Sequence, residues 1–126
     1  MTATSRPPIS VVIADDVREF RELLRVQLER DEEFLVVGEA GDGETAIRIV
    51  EQAQPHCLLL DLAMPVMDGL EAIPEIRRVS PETKIAVLSG FEAALLAPAS
   101  LDLGADLYLE KGSAVSSLSA SLRGLF

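Results

Sequence analysis

A run of apolar residues, Cys57-Leu58-Leu59-Leu60, ends in a carboxylate, Asp61, and the chain then breaks at Pro65 and Gly69. The run is short and apolar throughout, as a strand buried on both faces would be. Open α/β sheets hold ligands at the carboxyl ends of such strands, so Asp61 is the candidate reacting group. The plainer reading is that a strand-end Asp only shapes the next turn. Two further carboxylates, Asp15 and Asp16, stop the β-branched run Ile9 to Ala14, and Ser89 and Lys111 follow two later apolar runs. Carboxylates gathered in one crevice repel one another unless a cation or proton joins them. Donors that are all oxygen, with no Cys or His among them, suit Mg²⁺, which is held by one or two carboxylates plus a phosphate. Such an ion would align a phosphoryl donor with Asp61 while Lys111 and the Ser89 hydroxyl hold the remaining oxygens. A carboxylate nucleophile would leave an aspartyl phosphate.

These residues meet only if the chain alternates strand and helix. The pattern predicts strands at Ile9 to Ala14, Phe34 to Gly38, Cys57 to Asp61, Lys84 to Leu88 and Asp106 to Leu109. Between them, Val17 to Arg30 carries Val17, Phe20, Leu23, Leu24 and Leu28 at helical spacing, and a second helix buries Ala46, Ile47, Val50 and Ala53 before Pro55. A third helix spans Leu70 to Arg78, where Pro74 is expected to bend or delay it. The fourth stretch, Glu92 to Leu103, should become regular at Pro98 and end at Gly104. Ser113 is expected to cap a last helix with Val115, Leu118, Leu122 and Leu125 as its stripe. The alternation implies a parallel five-stranded sheet between two helix layers. In the flavodoxin-like order 2-1-3-4-5, Asp15, Asp16 and Asp61 converge, and Ser89 and Lys111 reach the same rim.

Composition narrows the function. The 126 residues, 48% of them apolar, suffice for one self-supporting domain. A formal net charge of -10 argues against nucleic-acid contact by this chain. The single Cys57 reads as a small buried hydrophobe, and His56, about 16 Å from Asp61 at strand rise, is given no role. With neither a secretory signal pattern nor a membrane-length apolar run, the expected location is the cytoplasm.

Asp15-Asp16, Asp61 followed by Met64-Pro65-Val66-Met67-Asp68-Gly69, Ser89-Gly90 and Tyr108-Leu109-Glu110-Lys111 together resemble the receiver domain of two-component response regulators. The resemblance runs from Ile9 to about Leu125, with residues 1–8 expected to be a disordered segment and no output domain present. It implies that Asp61 is the phosphoacceptor and that Asp15, Asp16, Asp61 and the Ala63 backbone carbonyl hold Mg²⁺. Lys111 and Ser89 would contact the phosphoryl group, and Ser89 and Tyr108 would form the switch pair. The partners implied are a sensor histidine kinase and a DNA-binding output domain or a separate target, with a phosphorylation-dependent homodimer also open. The sequence departs from the family at Gly112, where many receivers carry a proline, and the Leu-Glu-Lys-Gly form resembles the subfamily often joined to helix-turn-helix domains.

Other readings attach to the same residues. Asp15 or Asp16 fits an N-cap, Ser89 a turn, Tyr108 an edge cover and Lys111 a solvated charge. Two alternatives to the switch are a pseudo-receiver that only binds and an aspartate-nucleophile phosphohydrolase. Enzymes of the latter kind that resemble haloacid dehalogenases place a second Asp two residues after the first as acid/base, and Ala63 stands there instead. Ala63 and Phe91 offer no group to orient water, which predicts a long-lived phosphoryl group.

Overall fold

The computed structural model describes residues 7–90 and 95–126. Strands β1 (Ile9–Ala14), β2 (Phe34–Ala40), β3 (Cys57–Leu60), β4 (Lys84–Ser89) and β5 (Leu107–Glu110) form one sheet in the order β2-β1-β3-β4-β5. Every neighbouring pair is parallel, so the flavodoxin-like architecture is as the alternation predicts. The helices are α1 (Arg18–Glu29), α2 (Gly43–Ala53), α3 (Gly69–Val79), α4 (Ala97–Leu103), α5 (Lys111–Ala114) and α6 (Leu118–Arg123), with a 3₁₀ turn at Val115–Ser117.

Side chains alternate across the sheet and build two cores. Val12, Ala14, Leu58, Leu60, Ile85 and Val87 meet Ala46 and Val50 of α2 and Ala72, Ile73 and Ile76 of α3. On the other face, Val11, Ile13, Cys57, Leu59, Ala86 and Leu88 meet Leu24 and Leu28 of α1 and Leu118 and Leu122 of α6. All of β3 is buried, which is why its sequence reads as an unbroken apolar run. Each large aliphatic side chain there contributes roughly 1.5–3 kcal/mol. Among the described residues, no helix is long and apolar enough to cross a membrane.

Several expectations need correction. β2 continues two residues past Gly38 to Ala40, because a register shift between Val11 and Val12 lets both strands keep pairing to their ends. β3 stops at Leu60, β4 includes Ser89, and β5 starts at Leu107 rather than Asp106. α1 buries only Leu24 and Leu28; Val17 is its exposed N-cap, and Leu23 lies on the solvent side. In α2, Ala53 is exposed and Ile47 only half-buried. α3 runs through Pro74 from Gly69 to Val79, its start fixed by a capping box in which Asp68 accepts from Glu71 N while Glu71 answers the Asp68 backbone. Pro74 is exposed, so its ring lies on the solvent side of the helix. The last helix is broken into α5, a 3₁₀ turn and α6, and Ser113 lies inside α5 instead of capping a helix. Its apolar stripe survives the break: Leu118 and Leu122 are buried, and Val115 and Leu125 pack beside them.

Pro98 falls in the first turn of α4 and Gly104 ends that helix with φ of 122°, both as predicted. The earlier part of the predicted helix, from Glu92, lies outside the described residues, as does most of the segment 1–8.

Candidate functional site

Two hydrogen bonds extend the sheet one step beyond its strands. Asp15 N donates to Ala40 O at 2.9 Å, and Asp61 N donates to Ala14 O at 2.9 Å. Both residues are thereby fixed at the carboxyl rim, and both are buried, at 2% and 4% exposure. Asp16, the next residue, is exposed. One carboxylate oxygen from each of Asp15, Asp16 and Asp61 falls in a cluster within 4.8 Å.

The loop after Asp61 is pressed against the site by two glycines. A Cβ on Gly69 would stand 2.3 Å from the Asp61 carbonyl oxygen, and one on Gly43 would stand 2.4 Å from Met67 O. Gly69 N donates to Leu62 O at 3.1 Å and Gly43 N to Met67 O at 2.9 Å, so both ends of the loop are tied down. At its tip, Met67 N donates to Pro65 O at 2.7 Å across Val66, whose φ is 67°. This is a tight γ-type turn with a β-branched residue at positive φ, a conformation that costs about 1–3 kcal/mol.

Lys111 enters from the end of β5. Its Nζ lies 2.7 Å from Asp15 Oδ2 and 3.3 Å from Asp61 Oδ2, and 4.7 Å from the centroid of the Phe20 ring. Burial, then the neighbouring charge of Asp15, pushes the Asp61 carboxyl up to about 6, against the opposing pull of the Ala63 N–H and Lys111. Lys111 is moved the other way from what its burial alone would do: its bond to Asp15 and the attraction of Asp61 raise its pKa. The crevice therefore holds three carboxylates and one ammonium, an arrangement that divalent cations complete.

The sequence-derived candidates gather as follows. Asp15, Asp16, Asp61 and Lys111 form one cluster. Ser89, fully buried at the end of β4, shares a hydrogen bond of 2.7 Å with the Tyr108 hydroxyl from β5 and donates to Gly90 O at 3.3 Å. Tyr108 is half-buried against the core shared with α2 and α3. Ala63 is exposed, and its N–H donates to Asp61 Oδ1 at 3.2 Å. Phe91 lies outside the described residues. The N-cap alternative for Asp15 takes another form: its Oδ1 accepts from Val17 N at 2.8 Å, turning the chain into α1. The turn role and the cluster role use different oxygens of that carboxylate.

Two residues escaped the sequence reading. Phe20 passed as one more apolar position of α1, although its ring faces the ammonium. Arg21 donates from Nη1 to Asp15 O at 2.6 Å and from Nε to Glu39 Oε1 at 3.0 Å, clamping the start of α1 to the ends of β1 and β2. An arginine near the buried flank of an amphipathic helix was the available signal.

Comparison with known proteins finds similarity over nearly the whole chain. The sequence matches the family described as response regulator receiver domain over residues 11–123. It is 35% identical over 118 residues to the transcriptional regulatory protein YdfI of Bacillus subtilis, a match covering 90% of this chain and 55% of that protein. A 40% identical match to a protein-glutamate methylesterase/protein-glutamine glutaminase of Azospirillum brasilense covers 69% of this chain and 22% of that one. The chain thus spans about half or less of the length of these relatives. Among solved structures, the isolated REC domain of RcsB from Salmonella enterica serovar Typhimurium, determined with the phosphomimetic BeF3-, superposes with a TM-score of 0.84 at 32% identity, over 94% of this chain and 88% of that one. A LuxR-family two-component response regulator from Aurantimonas gives a TM-score of 0.87 at 26% identity, over 94% and 85%.

Proposed function

The chain belongs to the response regulator receiver family, and from that premise we propose that it is a phosphorylation-driven signalling switch in which Asp61 accepts a phosphoryl group from a sensor histidine kinase. The observation that carries this reading is the meeting of Asp15, Asp16 and Asp61 within 4.8 Å, with Lys111 bridging two of them. Receiver domains bind Mg²⁺ in an acidic pocket of this kind.

The residues fit that ion, for their donors are oxygens alone and their mutual repulsion calls for positive charge. Asp15, Asp16, Asp61 and the Ala63 carbonyl would hold it, and when bound it supplies charge against the phosphoryl oxygens. In the metal-free site burial and the Asp15 charge push the Asp61 carboxyl up to about 6, and a bound cation would favour the ionised form that attacks. An Asp61 oxygen forms the new bond to phosphorus as the bond from phosphorus to the donor imidazole breaks, its electron pair remaining on nitrogen. Lys111 and Ser89 then contact the transferred group.

The output is a shift in population. Ser89 moving toward the phosphoryl group would release the Tyr108 hydroxyl and let the ring follow, altering the surface of α4, β5 and the last helix, here divided into α5 and α6. Leu101 and Leu103 leave that surface apolar and exposed, as a face for a partner or an output domain would be. Changing a population from 1:99 to 99:1 requires about 5.5 kcal/mol of differential stabilisation. The transcriptional relatives favour control of transcription through a DNA-binding domain, with this acidic domain off the DNA and in the cytoplasm. Ala63 cannot orient an attacking water, which gives the aspartyl phosphate a lifetime well beyond seconds.

Intact-mass spectrometry after treatment with acetyl phosphate and Mg²⁺ tests the reading. One phosphoryl addition is expected, mapping to Asp61; no addition, or one elsewhere, would leave a binding module that keeps the fold without the chemistry.

A further inference from the structure

We infer that Phe20 is a positioning residue for Lys111, its ring serving as a partner of the ammonium that neither a cation nor a phosphoryl group competes for. The inference rests on the acceptor role of Asp61.

Among the described residues, the Lys111 ammonium meets two carboxylates and one aromatic ring. The carboxylates, Asp15 and Asp61, belong to the cluster a divalent cation would claim. An ammonium held only by them would be loosened once a cation fills the site and before a phosphoryl group arrives, because the ion draws on the same carboxylates. The third neighbour is the face of Phe20, 4.7 Å from Nζ to the ring centroid, which attracts a cation through its quadrupole and offers nothing to a metal ion or a phosphoryl oxygen.

The ring itself is well founded. Phe20 packs against the core beneath α1, and the Arg21 clamp to Asp15 O ties the same helical turn to the end of β1. Ring and Asp15 are therefore set on one rigid unit. The backbone around Lys111 offers less restraint. Gly112 follows it, and a Cβ there would meet only Glu110 Oε1, at 3.7 Å, so the glycine answers no steric need. α5 is four residues long and has no side-chain cap. A lysine on so lightly held a segment needs a side-chain partner to stay aimed at Asp61.

Two substitutions separate the aromatic face from mere bulk. Phe20→Tyr keeps the ring, and Phe20→Leu keeps an apolar filler without it. In the metal-free protein, the Lys111 Hε resonances should lie upfield through the ring current in wild type and Phe20→Tyr, and return to ordinary positions in Phe20→Leu. With Mg²⁺ and saturating acetyl phosphate, Phe20→Leu should label about two- to fivefold more slowly, with Phe20→Tyr close to wild type. Equal slowing in both variants, or wild-type rates together with an unmoved Lys111 signal in Phe20→Leu, would overturn the inference. A wild-type chain that takes no label sinks the acceptor reading and this role with it, while the resonance shift separately reports whether the stack exists.

Discussion

The two rims of the sheet bury polar groups to a similar degree and to opposite ends. At the amino rim, Arg77 donates to Gly104 O at 3.0 and 2.7 Å and to Thr83 O, and pairs with Asp106, which also accepts from Ile85 N at 2.8 Å. Buried Thr83 donates to Pro55 O at 2.8 Å and meets the Ser80 hydroxyl, and Ser10 N donates to His56 Nδ1 at 2.9 Å. At the carboxyl rim, three carboxylates face one ammonium. Among the described residues, no buried side-chain polar atom on either rim lacks a hydrogen-bond partner. Counting hydrogen bonds would not tell the rims apart. The balance of charge does: the amino rim is neutralised from within, whereas at the carboxyl rim, among the described residues, three carboxylates share one ammonium.

The sharpest way to break this comparison is Asp61→Asn. It should abolish labelling by acetyl phosphate in intact-mass spectra while leaving the fold at least as stable, because it removes a buried charge beside Asp15. The opposite pairing is expected from Arg77→Met at the amino rim. Loss of the guanidinium strips donors from Gly104 O and Thr83 O and leaves Asp106 unpaired, costing about 2–3 kcal/mol in denaturant melts. Labelling at Asp61 should be unchanged in this variant. A large loss of labelling in Arg77→Met would mean that the rims are not separable.

The same contrast explains what could be read from the sequence. The strands and the site residues at their carboxyl ends were legible because buried parallel strands announce themselves as apolar runs and their last polar residue is conspicuous: Asp15 after Ala14, Asp61 after Leu60, Ser89 after Leu88. The amino rim was opaque. His56 drew no role, yet its Nδ1 accepts from a strand residue 46 positions away. Arg77 looked like any charge on a helix surface, since its partners lie in segments that only the folded chain brings near. Helix detail failed for a related reason. Val17 and Leu23 fit the period of α1 but fall outside the stripe that the sheet covers, and the break in the last helix follows from packing that periodicity does not encode.

An intermediate effect comes from pH in the metal-free protein. The Asp61 carboxyl stands at about 6, above its ordinary value of 3.8, so the folded state holds this proton more tightly than the unfolded state. Its stabilising contribution is complete below 3.8 and is lost as pH rises through about 6. The stability difference between wild type and Asp61→Asn should therefore move against wild type between about pH 4 and pH 7, by on the order of 2 kcal/mol. Asp31, Glu39 and Asp42, whose carboxyls are lowered, contribute with the opposite sign at lower pH and cancel in this difference. Added Mg²⁺ should narrow the gap at neutral pH, since the ion replaces the proton as the source of positive charge. A difference independent of pH would mean that the carboxylates do not strain the carboxyl rim.

The smallest effects come from a matched pair of hydroxyls, one on each rim. Thr83 and Ser80 approach to 2.6 Å with both residues buried, and Tyr108 and Ser89 approach to 2.7 Å with the tyrosine half-buried. Removing one hydroxyl from each pair keeps most of the volume and leaves only the polar contact to compare. Thr83→Val takes the donor from Pro55 O and one of two partners from Ser80, whose bond to Gln54 Oε1 remains, so about 1–2 kcal/mol should be lost on unfolding. Tyr108→Phe leaves Ser89 its bond to Gly90 O, and the loss should stay near 0.5 kcal/mol. The order matters more than either value: a structural network should be costly to open, and a pair proposed to separate in a switch should be cheap. If Tyr108→Phe proves the more damaging, the Ser89 to Tyr108 bond is a fixed structural element, and the population shift has to run through some other contact.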